Sequence, residues 1–257
     1  MDTQLNIALV QTSLFWQQPE KNRTHFARII SDLKQKADLI VLPEMFTTGF
    51  TMTPSEIDKE EGPATLEWMK GLAEETGSAL TGSTVFYENG KYTNRLFFVK
   101  PDGNFHQYDK RHTFTLAGEH LTYAPGKERI IIDYKGFRIC PMICYDLRFP
   151  VWIRNTEGYD LLLFVANWPK TRIAAWDTLL KARAIENMAY CLGVNRIGED
   201  QNGYEYNGHS ACYDPLGEKL AFSSMEEVLF VKINKAHLTE VRDKLRFLDD
   251  RDSFTLQ

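Results

Sequence analysis

DLIVLPE, residues 38–44, sets four apolar side chains, two of them β-branched, between Asp38 and the Pro43-Glu44 pair. A run this short, bounded by polar and turn-forming residues, suits a buried strand better than a helix, which needs about ten residues or more. Upstream, Leu5 to Gln11 reads as an opening strand. Between the two runs, Pro19 stands where a first helical turn tolerates proline, and Phe26, Ile29, Ile30 and Leu33 recur at helical spacing. The chain therefore opens as β-α-β.

Downstream, Gly62-Pro63 starts a second helical stretch carrying Leu66, Met69, Leu72 and Ala73, with Gly77 placed as its C-terminal cap. SALTGSTVFYENG, KYTNRLFFVKPDG and NFHQYDKR are divided by Asn89-Gly90 and Asp102-Gly103, dipeptides that accept positive φ and suit hairpin turns. They read as an antiparallel meander. ERIIIDYKGFRICPMIC then holds two strands around Lys135-Gly136, RFPVWIRNTEG reads as a helix, and YDLLLFVANW as a continuous apolar strand. IAAWDTLLKARAIENM is helical, AYCLGVNRIGED and YNGHSACYDPLGEKLAF read as strands with turns, EEVLFVKIN as a last strand, and AHLTEVRDKLRFL as a closing amphipathic helix. No repeat, low-complexity tract or Pro/Ser-rich linker interrupts the 257 residues, so one domain over 1–257 is expected. Strands joined partly by helices and partly by hairpins imply a mixed α/β (α+β) chain whose sheets carry helices on their outer faces.

The composition, 43% hydrophobic and 25% charged, is that of an ordinary globular protein, and the formal net charge is −5. That balance argues against a general electrostatic grip on nucleic acid or an anionic membrane, and a small-molecule substrate fits better. The longest apolar run, Leu161 to Ala166, is far short of the roughly 20 residues that span a bilayer. The N-terminal MDTQLNIALVQ lacks a basic n-region, so a cytoplasmic protein is expected. Four scattered cysteines, Cys140, Cys144, Cys191 and Cys212, do not make a disulfide scaffold in a chain this long, and no second close Cys/His pair completes a zinc site. No metal is expected, and without a Gly-rich phosphate loop no nucleotide either.

Three polar residues stand where strands run out: Glu44 after DLIVLP, Lys110 after FHQYD, and Cys144 after FRICPMI. A strand end fixes a side chain's position while the adjoining loop leaves it accessible. Taken singly, the cysteine reads as a small buried hydrophobe and the other two as solvated turn residues.

Together, VLPEMFTTGF, YDKRHTF and ICYDLRFP resemble, in order, the glutamate, lysine and cysteine motifs of the nitrilase superfamily of carbon-nitrogen hydrolases. The likeness continues through VANWP, KARAIENMAY with VNRIG after it, and DPLGE, and so covers nearly the whole chain. PEMFTTGF, YDKRH, CYDLRFP and NWP together look most like the bacterial omega-amidases, which remove ammonia from amides of 2-oxo acids such as 2-oxoglutaramate. Thr113 in KRHTF departs from the leucine frequent in relatives, so packing beside Lys110 is expected to differ.

The resemblance implies an α-β-β-α sandwich of two mixed sheets with outer helices, a homodimer, and a triad of Glu44, Lys110 and Cys144 that needs no cofactor. It also implies a second glutamate between lysine and cysteine, here Glu119 in LAGEHLTY, whose alternative is a water-exposed loop carboxylate. The chemistry asks for these residue types. A thiol near pKa 8.5 needs a base to become an efficient nucleophile, and an ammonium plus a backbone N–H steadies the oxyanion formed on attack. Glu44 suits the first task, Lys110 and the N–H of Tyr145 the second. Trp168 and Arg172, just past the strand ending in Asn167, are candidates to shape the substrate site, with Arg148 in YDLRFP an alternative carboxylate holder. Hydrolysis of N-carbamoyl amino acids, hydrolysis of nitriles, and an inert binding subunit on the same fold are the competing readings.

Overall fold

A computed structural model of the chain describes residues 3–255. Its strands are β1 (Gln4–Gln11), β2 (Leu39–Val41), β3 (Ala79–Glu88), β4 (Lys91–Val99), β5 (Phe105–Asp109), β6 (Ile132–Tyr134), β7 (Phe137–Ile143), β8 (Leu161–Val165), β9 (Tyr190–Val194), β10 (Ile197–Glu199), β11 (Glu205–Asn207), β12 (Ser210–Tyr213), β13 (Lys219–Ser223) and β14 (Glu227–Asn234). Its helices are α1 (Pro19–Ser31), α2 (Glu61–Thr76), α3 (Glu119–Thr122), α4 (Pro150–Ile153), α5 (Ile173–Asn187) and α6 (Lys235–Leu245).

Two six-stranded sheets form, in the orders β14-β1-β2-β3-β4-β5 and β13-β12-β9-β8-β7-β6. Both are mixed. β1, β2 and β3 are mutually parallel and flanked by antiparallel partners, and β7, β8 and β9 repeat that arrangement in the second sheet.

The alternation of side chains along a strand explains the layers. Leu5, Ile7 and Leu9 of β1 share one core with Ile139, Leu161 and Leu163 of the other sheet, whereas Ala8 and Val10 face a separate core. That second core is closed by Phe26 and Ile30 of α1 and by Met69, Leu72 and Ala73 of α2. On the other sheet, Trp176, Leu180 and Ala184 of α5 pack against β9 and β12. A Cβ on Gly193 of β9 would lie 2.5 Å from the Trp176 ring, so only glycine allows that approach. The result is the expected α-β-β-α sandwich.

Pro19 begins α1, Gly77 caps α2 at φ 64°, and the hairpins turn at Asn89-Gly90 and Lys135-Gly136 as read from the sequence. One expectation fails: RFPVWIRNTEG is not a full helix but the single turn of α4. Arg129 takes the carbonyls of Trp152 and Arg154, and Asn155 bonds the N–H and carbonyl of Tyr159, so the backbone groups that would extend the helix are satisfied another way.

Candidate active site

β2 and β7 are parallel members of their sheets, so the chain leaves their C-terminal ends at Glu44 and Cys144. β5 is antiparallel to β4, which is antiparallel to β3; β5 therefore runs with β2 and delivers Lys110 to the same end. Sheet direction thus converges three side chains that are 66 and 34 residues apart in sequence.

The convergence is a buried ionic cluster. Lys110 Nζ donates to Glu44 Oε1 at 2.8 Å and to Glu119 Oε1 and Oε2 at 3.0 and 2.9 Å, and all three residues are at most 1% exposed. Burial alone would lower the lysine's proton affinity, but Glu119 and Glu44 outweigh it and raise it above the ordinary value, so the ammonium persists. Burial pushes the Glu119 carboxyl up, against the pull of Lys110. Glu44 is further held by the backbone N–H of Asn167 on Oε2 at 2.8 Å and by Asn94 Nδ2 on Oε1 at 2.8 Å. The loop carrying Lys110 rests on a tight contact: Gly126 donates to the Lys110 carbonyl, and a Cβ there would lie 2.0 Å from the Asp109 carbonyl oxygen.

Cys144 opens a 3-10 turn, Cys144–Arg148, at φ 42°, in the left-handed region that a non-glycine residue enters only when its surroundings hold it. Asp146 does much of that holding. Its carboxylate accepts from the N–H of Ile143, the Tyr108 hydroxyl, and both the N–H and Nδ1 of His112. His112 stacks on Phe149 with ring centroids 3.7 Å apart, tying the Lys110 loop to the Cys144 turn, and Arg183 of α5 grips the Leu147 carbonyl twice. The thiol points at the Asn167 carbonyl, 3.9 Å away, with the Glu44 carboxylate as its charged neighbour. Burial, then the Glu44 carboxylate, push its pKa well above the usual cysteine value despite Lys110, so the resting group is a thiol beside a base.

Cys144 and Lys110 lie at the floor of a cavity of about 610 Å³. Phe50, Phe114, Tyr145 and Trp168 supply much of its apolar wall. Arg148 lies 4.9 Å over the Trp168 ring and Arg172 5.1 Å over Phe114; both line the cavity, and among the described residues neither makes an ion pair with a carboxylate.

Residues 6–243 match the family model described as carbon-nitrogen hydrolase. The chain belongs to that family. This carbon-nitrogen hydrolase is 42% identical over 254 residues to omega-amidase YafV of Escherichia coli (strain K12), covering 98% of each chain. It is 33% identical over 250 residues to the 2-oxoglutaramate amidase of Bacillus subtilis (strain 168), covering 95% of this chain and 96% of that one. Among solved structures it superposes on XC1258 from Xanthomonas campestris, a CN-hydrolase superfamily protein with an arsenic adduct in its active site, with a TM-score of 0.95, 42% identity and full coverage of both chains. It is a hydrolase acting on carbon-nitrogen bonds.

The hydrolase brings Glu44, Lys110, Cys144 and Glu119 together. Glu119 is fully buried on the one-turn α3, not a solvated loop carboxylate. Tyr145, Trp168, Arg172 and Arg148 all line the cavity, and Trp168, although only 3% exposed, shows it one face. Asn94, Asp146 and the Asn167 backbone escaped the sequence reading. Each looks there like an ordinary polar residue in or beside a strand. Among the described residues no group of three or more His, Cys, Asp or Glu side chains is disposed to hold a metal ion.

Proposed function

We propose that this hydrolase releases ammonia from the omega-amide of a 2-oxo dicarboxylic acid, such as 2-oxoglutaramate or 2-oxosuccinamate, through a thioester on Cys144. The observation that carries the chemistry is the buried Lys110 ammonium shared by Glu44 and Glu119 beside a thiol held at positive φ on the cavity floor. Glu44 takes the thiol proton as sulfur attacks the amide carbonyl, and Lys110 with the Tyr145 N–H holds the developing oxyanion. Glu44 returns the proton to the amide nitrogen, the C–N bond breaks, and ammonia leaves. Water, deprotonated by Glu44, then attacks the thioester; the C–S bond breaks and sulfur recovers its proton. Glu119 anchors the ammonium throughout. The reaction draws on no cofactor, and the same reading takes residues 1–257 as one catalytic domain of a cytoplasmic homodimer. Iodoacetamide is expected to inactivate the enzyme and a metal chelator is not, as ammonia release after each treatment will show.

The substrate class rests on Arg148 and Arg172, which have no carboxylate partner among the described residues. A buried carboxylate needs a cationic or multiple hydrogen-bond partner, and a guanidinium meets it bidentately. The Bacillus subtilis relative acts by name on 2-oxoglutaramate, and the Escherichia coli one is by name an omega-amidase. Arg172→Ala is expected to narrow the preference for 2-oxoglutaramate over a neutral amide of similar length, chiefly by weakening the acidic substrate. kcat/KM for both substrates in both proteins measures it. An unchanged preference rejects Arg172 as the carboxylate holder and leaves Arg148.

A further inference from the structure

Asn94 sits in β4, 1% exposed, where the meander brings it beside the start of the Lys110 loop. Its backbone carbonyl accepts the Lys110 N–H at 3.0 Å. Its Nδ2 donates to Glu44 Oε1 at 2.8 Å and, more weakly, to Glu119 Oε1 at 3.4 Å. Chemistry forces this orientation of the amide, because turning it over would aim Oδ1 at two carboxylates. The buried Oδ1 finds no hydrogen-bond partner among the described residues.

We propose that Asn94 is a positioning residue for the reaction: a neutral double donor that bridges Glu44 and Glu119, holding the Glu44 carboxylate aimed to receive the thiol proton. The inference rests on Glu44 being the proton acceptor. A cation here would compete with Lys110, and a carboxylate would repel both glutamates; only an uncharged donor ties the pair without altering its charge. The titratable groups facing Glu44 are Lys110 from the end of β5, Glu119 from α3, Cys144 from the turn after β7, and the more distant Tyr123 after α3. Of these only the ammonium donates to Glu44, and the Asn94 Nδ2 and the Asn167 backbone N–H supply the other hydrogen bonds that fix its two oxygens.

The test is kcat/KM against pH for the unmutated enzyme, Asn94→Ala and the isosteric Asn94→Asp, with Glu44→Gln alongside. In Asn94→Ala the acid limb is expected to move up by about one pH unit as a donor to the carboxylates is lost. Its plateau is expected to fall on the order of a hundredfold through misplacement of the base. Asn94→Asp keeps the shape and is expected to be nearly inactive at pH 8. It should regain activity toward pH 5, where the protonated carboxyl donates again, opposite in trend to the unmutated enzyme. A lowered plateau with an unmoved limb in Asn94→Ala, or an Asn94→Asp profile parallel to that of the unmutated enzyme, overturns the proposal; should Asn94→Ala fail to fold, Asn94→Asp decides alone. An active Glu44→Gln enzyme sinks the proton-acceptor reading and this inference with it, whereas an inactive Glu44→Gln with unmoved limbs at Asn94 sinks this inference only.

Discussion

Cys144→Ala is expected to abolish ammonia release while leaving the fold intact. The sulfur is the only atom removed, it lies at the cavity floor with the residue 8% exposed, and alanine retains the Cβ already accommodated at φ 42°. The turn itself is held by Asp146, His112 and Arg183, none of which bonds the thiol. Nothing nearby replaces the nucleophile. Cys140, Cys191 and Cys212 are fully buried in the core, where burial pushes their thiols up and closes them to substrate. Alanine at any of those three is expected to leave substantial activity. Ammonia release at equal concentrations of folded protein, checked by circular dichroism, measures both halves. A fully active Cys144→Ala enzyme ends the nucleophile assignment.

Lys110→Ala is expected to act twice. Loss of one oxyanion donor lowers turnover about a hundredfold to a thousandfold. It also strands two buried carboxylates, Glu44 and Glu119, whose shared ammonium is gone. Removing one partner of a buried ion pair costs about 3–5 kcal/mol unless the survivors take up a proton. Either response harms the reaction, because a protonated Glu44 no longer receives a proton from the thiol. Thermal unfolding is therefore expected to fall together with kcat. Lys110→Arg is not expected to restore full activity, since a planar fork cannot occupy the compact ammonium's place between two carboxylates. Near-normal turnover in Lys110→Ala means that another group holds the oxyanion.

The local elements were largely legible because their signals are local. DLIVLPE has a strand's length and bounds, Asn89-Gly90 has hairpin chemistry, and the 3.6-residue period runs through α1 and α2. The pairing of β1 with β14, Gln4 against Asn234, was not, since nothing near either strand names a partner 230 residues away. α4 was overread because its apolar residues fit a helix, whereas Arg129, 23 and 25 residues upstream, claims the carbonyls that would continue it. Glu44, Lys110 and Cys144 were visible as strand-end residues and became a set through motif resemblance. The burial of Glu119 was not, because it follows from Lys110 and the Phe114 N–H reaching it in three dimensions. Asn94 lay hidden for a related reason. In KYTNRLFFV it is one more polar position in an alternating strand, and only the fold shows the two carboxylates around it.

The most direct test of the proposed function is kcat/KM for ammonia release by the unmutated enzyme from 2-oxoglutaramate and from a neutral amide of the same length. Arg148 and Arg172, which line the same cavity as Cys144 and make no ion pair with a carboxylate among the described residues, predict that 2-oxoglutaramate is used far better. Equal use of the neutral amide would contradict the omega-amidase reading, while leaving a Cys144 amidohydrolase in place.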